Sequence, residues 1–520
     1  MELSLLFLSS ILFALSFPSF ISVWGWFPLA FISLAPVFIV IHRSSWPKIL
    51  LYGILYGYVS YALFNYWAST FHPLAIIILP TVYAVYFFLV FPLLKLCDRL
   101  LPRYGYLLQL LVWIAYEYLR TIGFLGYPYG IMGYSQYLFL PLIQISEITG
   151  VWGVSFLVVF PSVYLGHALK NGISGFREFI RRHPVSPAVY GLLFCACLVF
   201  GFFAESDYSD EPRARVALIQ HNADTWEGGV DAYERNLKTL IRLSRESLKE
   251  NPDIVIWSET AFVPGVDWHS RYRTDQRRYQ LVKEFIDFMT TQNIPYVTGN
   301  DDGQLERNEE GELERVDYNA VLLYYQGELK KTYRKTHLVP FTENFPYKKQ
   351  FPKFYQFLVD HEYHFWKKGE EYTVFQGPDF RFSTPICFED VFGYLSREFV
   401  LRGAQVIVNV TNDSWSGSEA AQMQHMAMAV FRSVENRRTL VRSANSGMTC
   451  TIEPSGRITA LLDPFIEGYL VQDIPIFDGV TTWYTKAGDW LGIGSVFAGL
   501  AGIAAGVILS FLRRRKGKVN

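Results

Sequence analysis

Two hydrophobic patterns divide the chain. Before about residue 204 and after about residue 490, apolar residues run in long blocks separated by short polar loops. A helix needs roughly 17–25 such residues to cross a bilayer. Candidate spans fall at 3–20, 27–41, 49–68, 74–96, 106–119, 151–169, 189–203 and 491–512, about eight in all, several of them short. The first block has no basic start, carries Glu2 and shows no small-residue cleavage site, so it reads as a span and not as a leader.

The middle of the chain alternates on shorter periods. Val216-Ala217-Leu218-Ile219-Gln220 predicts a strand, and 230–248 predicts a helix with Tyr233, Leu237, Leu240 and Ile241 on one face. Strands follow at 254–257 and 296–298, with a helix over 276–291 marked by Leu281, Val282, Phe285, Ile286 and Met289. Runs at 321–325 and 329–333 flank Gln326-Gly327-Glu328 as a hairpin. Phe380, Phe382 and Ile386 mark a buried strand ending at Cys387. Then come a strand at 404–410, a helix at 419–435, and strands at 440–443 and 449–452 before a Pro454-Ser455-Gly456 turn. Repeated strands and helices predict a layered α/β domain. The expected organisation is a polytopic α-helical membrane bundle at 1–205, an α/β domain at 213–478, and a last span with a basic tail at 487–520.

Charge orients this arrangement. Arg43 and Lys48 follow the second block; Lys95, Arg99 and Arg103 the fourth; Lys170, Arg177, Arg181 and Arg182 the sixth; Arg513, Arg514, Arg515, Lys516 and Lys518 the last. Loops after the first, third and fifth blocks hold no Lys or Arg except Arg120 at the edge of the fifth. The positive-inside rule then places both termini in the cytoplasm and the α/β domain outside it. Glu117 and Arg120, one turn apart, are expected to pair. The loop 121–149 is aromatic, as at a membrane interface, and Gly502-Ile503-Ala504-Ala505-Gly506 suits close helix packing.

Composition narrows the classes further. The chain of 520 residues is 51% hydrophobic and 18% charged, with a formal net charge of −1. This predicts no nucleic-acid partner. Its five cysteines show no metal-ligand spacing, so neither a metal site nor a disulfide is expected.

The candidate chemistry centres on Cys387, a thiol placed at a strand end beside Glu389 and Asp390. A thiol is a strong nucleophile when something takes its proton. Glu259, at the end of Ile254-Val255-Ile256-Trp257-Ser258, is the candidate base, its pKa raised by apolar neighbours. Lys335 is the candidate oxyanion partner and would also hold Cys387 as a thiolate. Glu343 and Glu389 are further acids that would orient Lys335 or steer an amine, or serve as structural ion-pair partners. Trp226 walls an acyl pocket or caps the core. Asn319 reaches the site or closes a turn, the turn being favoured. Asn412 lies in a loop after a strand, where site loops emerge, and His425 is read as a packed core histidine. The arm 346–372 interleaves Phe351, Phe354, Tyr355, Phe357, Tyr363, Phe365 and Trp366 with lysines; it reads as a lipid-touching lid or as a loop with its own aromatic minicore.

Trp257-Ser258-Glu259-Thr260, Tyr333-Arg334-Lys335 and Ile386-Cys387-Phe388-Glu389 resemble the nitrilase (carbon–nitrogen hydrolase) superfamily and its Glu–Lys–Cys triad. That resemblance implies a four-layer α-β-β-α sandwich. With flanking spans, and with 130–136, 141–153, 338–343, 408–415, 435–438 and 442–447 added, the chain resembles the apolipoprotein N-acyltransferase family. Thr342, Asn344, Phe388, Ser416 and Tyr129 depart from the family's usual Gly, Tyr, Tyr, Phe and Trp. The resemblance implies a phospholipid acyl donor, a diacylglyceryl apolipoprotein acceptor, a thioester on Cys387, no cofactor, and a bacterial inner-membrane location with the catalytic domain on the periplasmic side. Two other readings are a membrane-tethered amidase and a transporter or receptor with a non-catalytic binding domain.

Overall fold

A computed structural model describes residues 1–71, 73–308, 311–361 and 364–516, the last without the side chains of 514–516. Tyr363 and Lys518 lie outside the described residues. By contacts the chain forms two units. One comprises Met1–Ser206, Ser416–Glu435 and the chain from Thr482; the other comprises Asp207–Trp415 and Asn436–Thr481.

The first unit is helical. Among the described residues, Ala75–Leu100, Val151–Ala168, Val185–Ala204 and Trp490–Arg513 are long and apolar enough to cross a membrane. Trp46–Phe64 packs along Ala75–Leu100, where a Cβ at Gly53 or Gly57 would sit 2.4 Å from Phe87 O or 2.5 Å from Tyr83 O. Only glycine lets the two backbones approach so closely. The helix expected over 3–20 stops at Leu15, ahead of Pro18. The block 27–41 breaks into Phe27–Leu29, Ala30–Ser33 and Ala35–Arg43, with Pro28 and Pro36 at the starts of the first and last pieces. Proline supplies no N–H to a continuing helix, so both breaks follow from the sequence.

Glu117 and Arg120 take separate partners. Glu117 accepts from Trp113 Nε1 at 3.1 Å and Met132 N at 3.0 Å, whereas Arg120 donates to Tyr83, Tyr127 and Tyr129. The amphipathic helix Gly172–Arg182, read in sequence only as a basic loop, buries none of its residues. Helix Glu419–Asn436 groups with this unit up to Glu435. Its Gln424 accepts from Trp67 and donates to Pro18 O, and His425 is 3% exposed, a core histidine.

The second unit contains two six-stranded sheets. The strands are β1 (Arg213–Gln220), β2 (Ile254–Trp257), β3 (Tyr296–Arg307), β4 (Leu313–Tyr325), β5 (Glu328–Arg334), β6 (Val374–Gln376), β7 (Arg381–Ser383), β8 (Val406–Thr411), β9 (Thr439–Ala444), β10 (Thr449–Ile452), β11 (Ile458–Leu462) and β12 (Gly468–Pro475). One sheet runs β12-β1-β2-β3-β4-β5 and the other β11-β10-β9-β8-β7-β6. Val216, Leu218, Ile256 and Val321 of the first meet Phe382, Val406, Val408 and Val441 of the second in one core. Ala217, Ile219, Val255 and Trp257 point the other way. They pack under helices Val230–Ser247 and Gln276–Thr290 through Leu237, Leu240, Val282 and Phe285. Strands buried on both faces read as continuous apolar runs, which is how β1 and β2 read in the sequence.

Several elements depart from the sequence reading: β6, β11 and β12 were not expected, and β4 begins at Leu313 and not at 321. The strand expected at 296–298 continues to Arg307, paired with β4 out to Arg307↔Leu313. Its Asn300-Asp301-Asp302-Gly303 stretch has no apolar alternation to announce it. The strand expected to deliver Cys387 ends at Ser383. Ile386 makes only a bridge to Val410, and Cys387 opens a single 3₁₀ turn, Cys387–Val391.

Candidate active site

The site is assembled at the ends of β2, β5 and β8 and around the turn after β7. Ser258 and Glu259 follow β2 directly, and Thr260 turns the chain with φ +44°. The turn lies against Gly299, where a Cβ would meet Thr260 N at 2.3 Å; only glycine fits there. Lys335 follows β5. Its N–H donates to Asn319 O on β4 at 2.8 Å, and its carbonyl accepts from Gly369 N at 2.7 Å. Cys387 has φ +49°, a left-handed conformation costly for a side chain with a Cβ, and such strain gathers at functional sites. Asn409 of β8 pins the turn by donating to Pro385 O at 3.1 Å and Cys387 O at 3.2 Å.

Glu259, Lys335 and Cys387 converge. Lys335 Nζ lies 3.4 Å from Glu259 Oε1 and 2.7 Å from Glu343 Oε1, with no side-chain exposure. Glu259 Oε1 also accepts from Asn319 Nδ2 at 2.8 Å, and Oε2 from Asn412 N at 2.9 Å. Glu259 and Lys335 both lie close enough to the Cys387 thiol to act on it electrostatically. Cys387 alone of the three residues keeps an intermediate exposure, whereas Glu259 and Lys335 are buried.

Burial raises the Glu259 carboxyl above its ordinary range, with the Lys335 charge opposing that rise. Burial also pulls on Lys335, but Glu343 and Glu259 outweigh it and hold the amine above its usual value, hence charged. Burial pushes the Cys387 thiol well above its ordinary range; Glu259 adds to the rise and Lys335 offsets only part of it. The expectation of a standing thiolate is therefore corrected. The site holds a neutral thiol next to a carboxylate able to take its proton.

The remaining candidates divide. Glu343 holds Lys335, and its other oxygen accepts from Val339 N at 2.8 Å. Asn319 lies within β4 and grips Glu259; it does not close a turn. Asn412 contributes its backbone N–H to Glu259, while its side chain accepts from Thr225, Ser414 and Asn445. Glu389 is fully enclosed and accepts from Tyr333 OH, Thr336 N and Oγ1, His337 N and Ile386 N, all at 2.8–2.9 Å. It ties the residues after Lys335 to the residue before Cys387 and makes no direct contact that would steer an amine. Trp226 stands 62% exposed on the loop after β1, so it does not cap the core.

Sequence reasoning missed a buried ion network beneath the turn. Arg442 of β9, with no exposure, contacts Asp390 and lies 3.1 Å from Asp413. Thr411 donates to Asp413 at 3.2 Å. An arginine inside the apolar run Leu440-Val441-Arg442 was the available signal, because buried cations require partners.

Residues 9–164 match the family described as apolipoprotein N-acyltransferase N-terminal domain, and residues 215–482 match carbon-nitrogen hydrolase. Apolipoprotein N-acyltransferase 1 of Treponema denticola is 41% identical, with 100% of this chain and 98% of that protein covered. Apolipoprotein N-acyltransferase 1 of Treponema pallidum is 44% identical over 99% of this chain and 97% of that protein. Among solved structures, an amidase from Nesterenkonia sp. aligns at a TM-score of 0.36 and 18% identity, over 50% of this chain and 90% of that one. With full-length relatives at this identity and a carbon–nitrogen hydrolase domain of α/β fold behind a set of apolar helices, the chain belongs to the apolipoprotein N-acyltransferase family.

Proposed function

We propose that this chain is a membrane-bound enzyme that moves an acyl chain from a phospholipid to the N-terminal amine of a diacylglyceryl-cysteine apolipoprotein. What carries the reading is the convergence of Glu259, Lys335 and Cys387 in a chain that belongs to this family from end to end. Glu259 takes the Cys387 proton as the sulfur attacks the sn-1 ester carbonyl, and Lys335 faces the oxygen that becomes negative. The C–O bond breaks, the leaving alkoxide receives the proton, and lysophospholipid departs from a thioester on Cys387. The α-amine of the acceptor then attacks, Glu259 takes its proton, and the thiol is restored as the amide forms. Glu343, Asn319 and Asn412 hold the two charged groups in place. Glu389 fixes the loops, and Trp226 lies at the rim.

In this reading residues 1–205 supply spans one to seven, 213–478 the catalytic domain, and 487–520 the eighth span and basic tail. The alternation of basic loops puts the domain on the periplasmic side of the inner membrane. Phe351, Phe354 and Phe357 of the arm, each more than half exposed, face lipid, while Tyr355 stacks on Phe365 and Phe345 packs tilted against both. The test is intact mass after incubation with phospholipid. Wild type gains an acyl mass that hydroxylamine removes, and Cys387→Ser does not; equal labelling of both ends the thioester reading. Release of ammonia from short amides, without acyl transfer, would instead mark an amidase.

A further inference from the structure

Three helices of the first unit end in side chains that suit a metal ion. His42 lies in the last turn of Ala35–Arg43, Asp98 in the last turn of Ala75–Leu100, and His167 in the last turn of Val151–Ala168. His42 Nδ1 is 3.0 Å from Asp98 Oδ2, and His167 Nδ1 is 3.5 Å from Asp98 Oδ1. One donor atom from each of the three falls within 4.8 Å of the others. A tetrahedral ion with bonds of about 2.0–2.2 Å needs donors about 3.3–3.6 Å apart. Each histidine therefore already has one Asp98 oxygen near that spacing, Oδ2 for His42 and Oδ1 for His167.

The histidine side chains are 1% and 2% exposed. Neither nitrogen of His42, nor His167 Nδ1, nor Asp98 Oδ1 has a hydrogen-bond partner. Polar atoms buried in this way are costly unless something satisfies them. The negative ends of three helix dipoles converge on the same point and favour a cation there. Lys170 stands beside it, Nζ 3.5 Å from Asp98 Oδ1 and 3.1 Å from His167 Nε2, and is 27% exposed. An ammonium balances the charge of Asp98 but leaves both imidazole Nδ1 atoms without a hydrogen bond.

We propose that His42, Asp98 and His167 bind a divalent transition-metal ion of the zinc class, which displaces the Lys170 ammonium and ties the three helix ends together. Two imidazoles and one carboxylate suit zinc rather than magnesium or calcium, whose preferred donors are oxygens. Ligation at Nδ1 requires each ring to carry its proton on Nε2. On His167 that proton would point at Lys170, so the lysine must swing outward, and its partial exposure allows this. The ligands come from three separate helices, which is why sequence spacing gave no sign of them.

The test uses the full-length chain in detergent on a Cys387→Ser background, which removes the one thiol that the proposed reaction uses. Chelator-stripped protein is titrated with zinc, and with cobalt for its visible absorption. The parent should take up one ion per chain and melt at a higher temperature with zinc. His42→Gln and His167→Gln should each weaken binding at least about tenfold and lose the zinc-dependent rise in melting, with metal-free melting close to the parent's. Lys170→Gln, on a partly exposed side chain, should fold normally and bind zinc more tightly. A parent with no metal above background, histidine variants that bind like the parent, or a Lys170→Gln with unchanged affinity would overturn the proposal.

Discussion

Asn319 Nδ2 lies 2.8 Å from Glu259 Oε1, and the backbone carbonyl of the same asparagine accepts the N–H of Lys335. One residue of β4 thus positions both charged groups of the site. A hydrogen bond to a charged group contributes about 1.5–3 kcal/mol. Asn319→Ala should slow acylation of Cys387 by about 10- to 100-fold with little change in melting temperature. Asn319→Asp should be slower still, because it sets a third carboxylate against Glu259 and Glu343. Single-turnover acylation measures both, and an unaltered rate in Asn319→Ala would remove the residue from the machinery.

The resting thiol sets a pH dependence. The Glu259 carboxyl is raised by burial, so it becomes protonated, and loses its ability to accept a proton, at a pH above the ordinary glutamate value of about 4.3. Acylation should fall as pH drops, with its midpoint above that value. The Cys387 thiol is also raised, so alkylation by iodoacetamide should quicken only above about pH 8.5, the ordinary cysteine value. The rate is read as the difference between wild type and Cys387→Ser. Rapid alkylation at pH 7 would show a thiolate and contradict the electrostatics.

Glu343→Gln keeps the shape of the side chain but leaves Lys335 with a single carboxylate partner, Glu259, at 3.4 Å. The ammonium is then drawn toward Glu259 and away from the developing oxyanion. A loss of about tenfold or more in kcat, with KM nearly unchanged, is expected from weakening one electrostatic partner. A change confined to KM would place Glu343 in substrate binding instead.

Arg442 neutralises Asp390 and Asp413 where no water reaches. Arg442→Met should lower stability by about 3–5 kcal/mol, the cost of leaving buried charge unpaired. Adding Asp390→Asn and Asp413→Asn should restore much of it. Thermal melting of the full-length chain checks both steps. A triple variant no more stable than the single one would show that the arginine acts through packing.

Apolar runs announced the central strands β1, β2, β8 and β9, which are buried on both faces, but not β6, β11 and β12 at the sheet edges. They did not announce the extension of β3, whose polar residues are held by pairing with β4 and not by a core. Cys387, Glu259 and Lys335 were legible because each ends or follows a strand-like run. Asn319 was not, since a lone asparagine inside a strand looks like a turn residue until its register partners are known. Arg442 and the cluster at His42 share that difficulty, as their meaning lies in partners far away along the chain. The helix breaks near Pro18, Pro28 and Pro36 were written in the sequence but masked by the hydrophobicity around them.

Glu389 reaches Thr336 and His337 on one side and Ile386 on the other. The segment that bears the ammonium and the segment that bears the sulfur are thereby clasped to a single carboxylate, and neither can slide without the other. Whatever rearrangement admits a bulky acyl group or releases a finished product must spare this clasp and be sought in the surrounding loops.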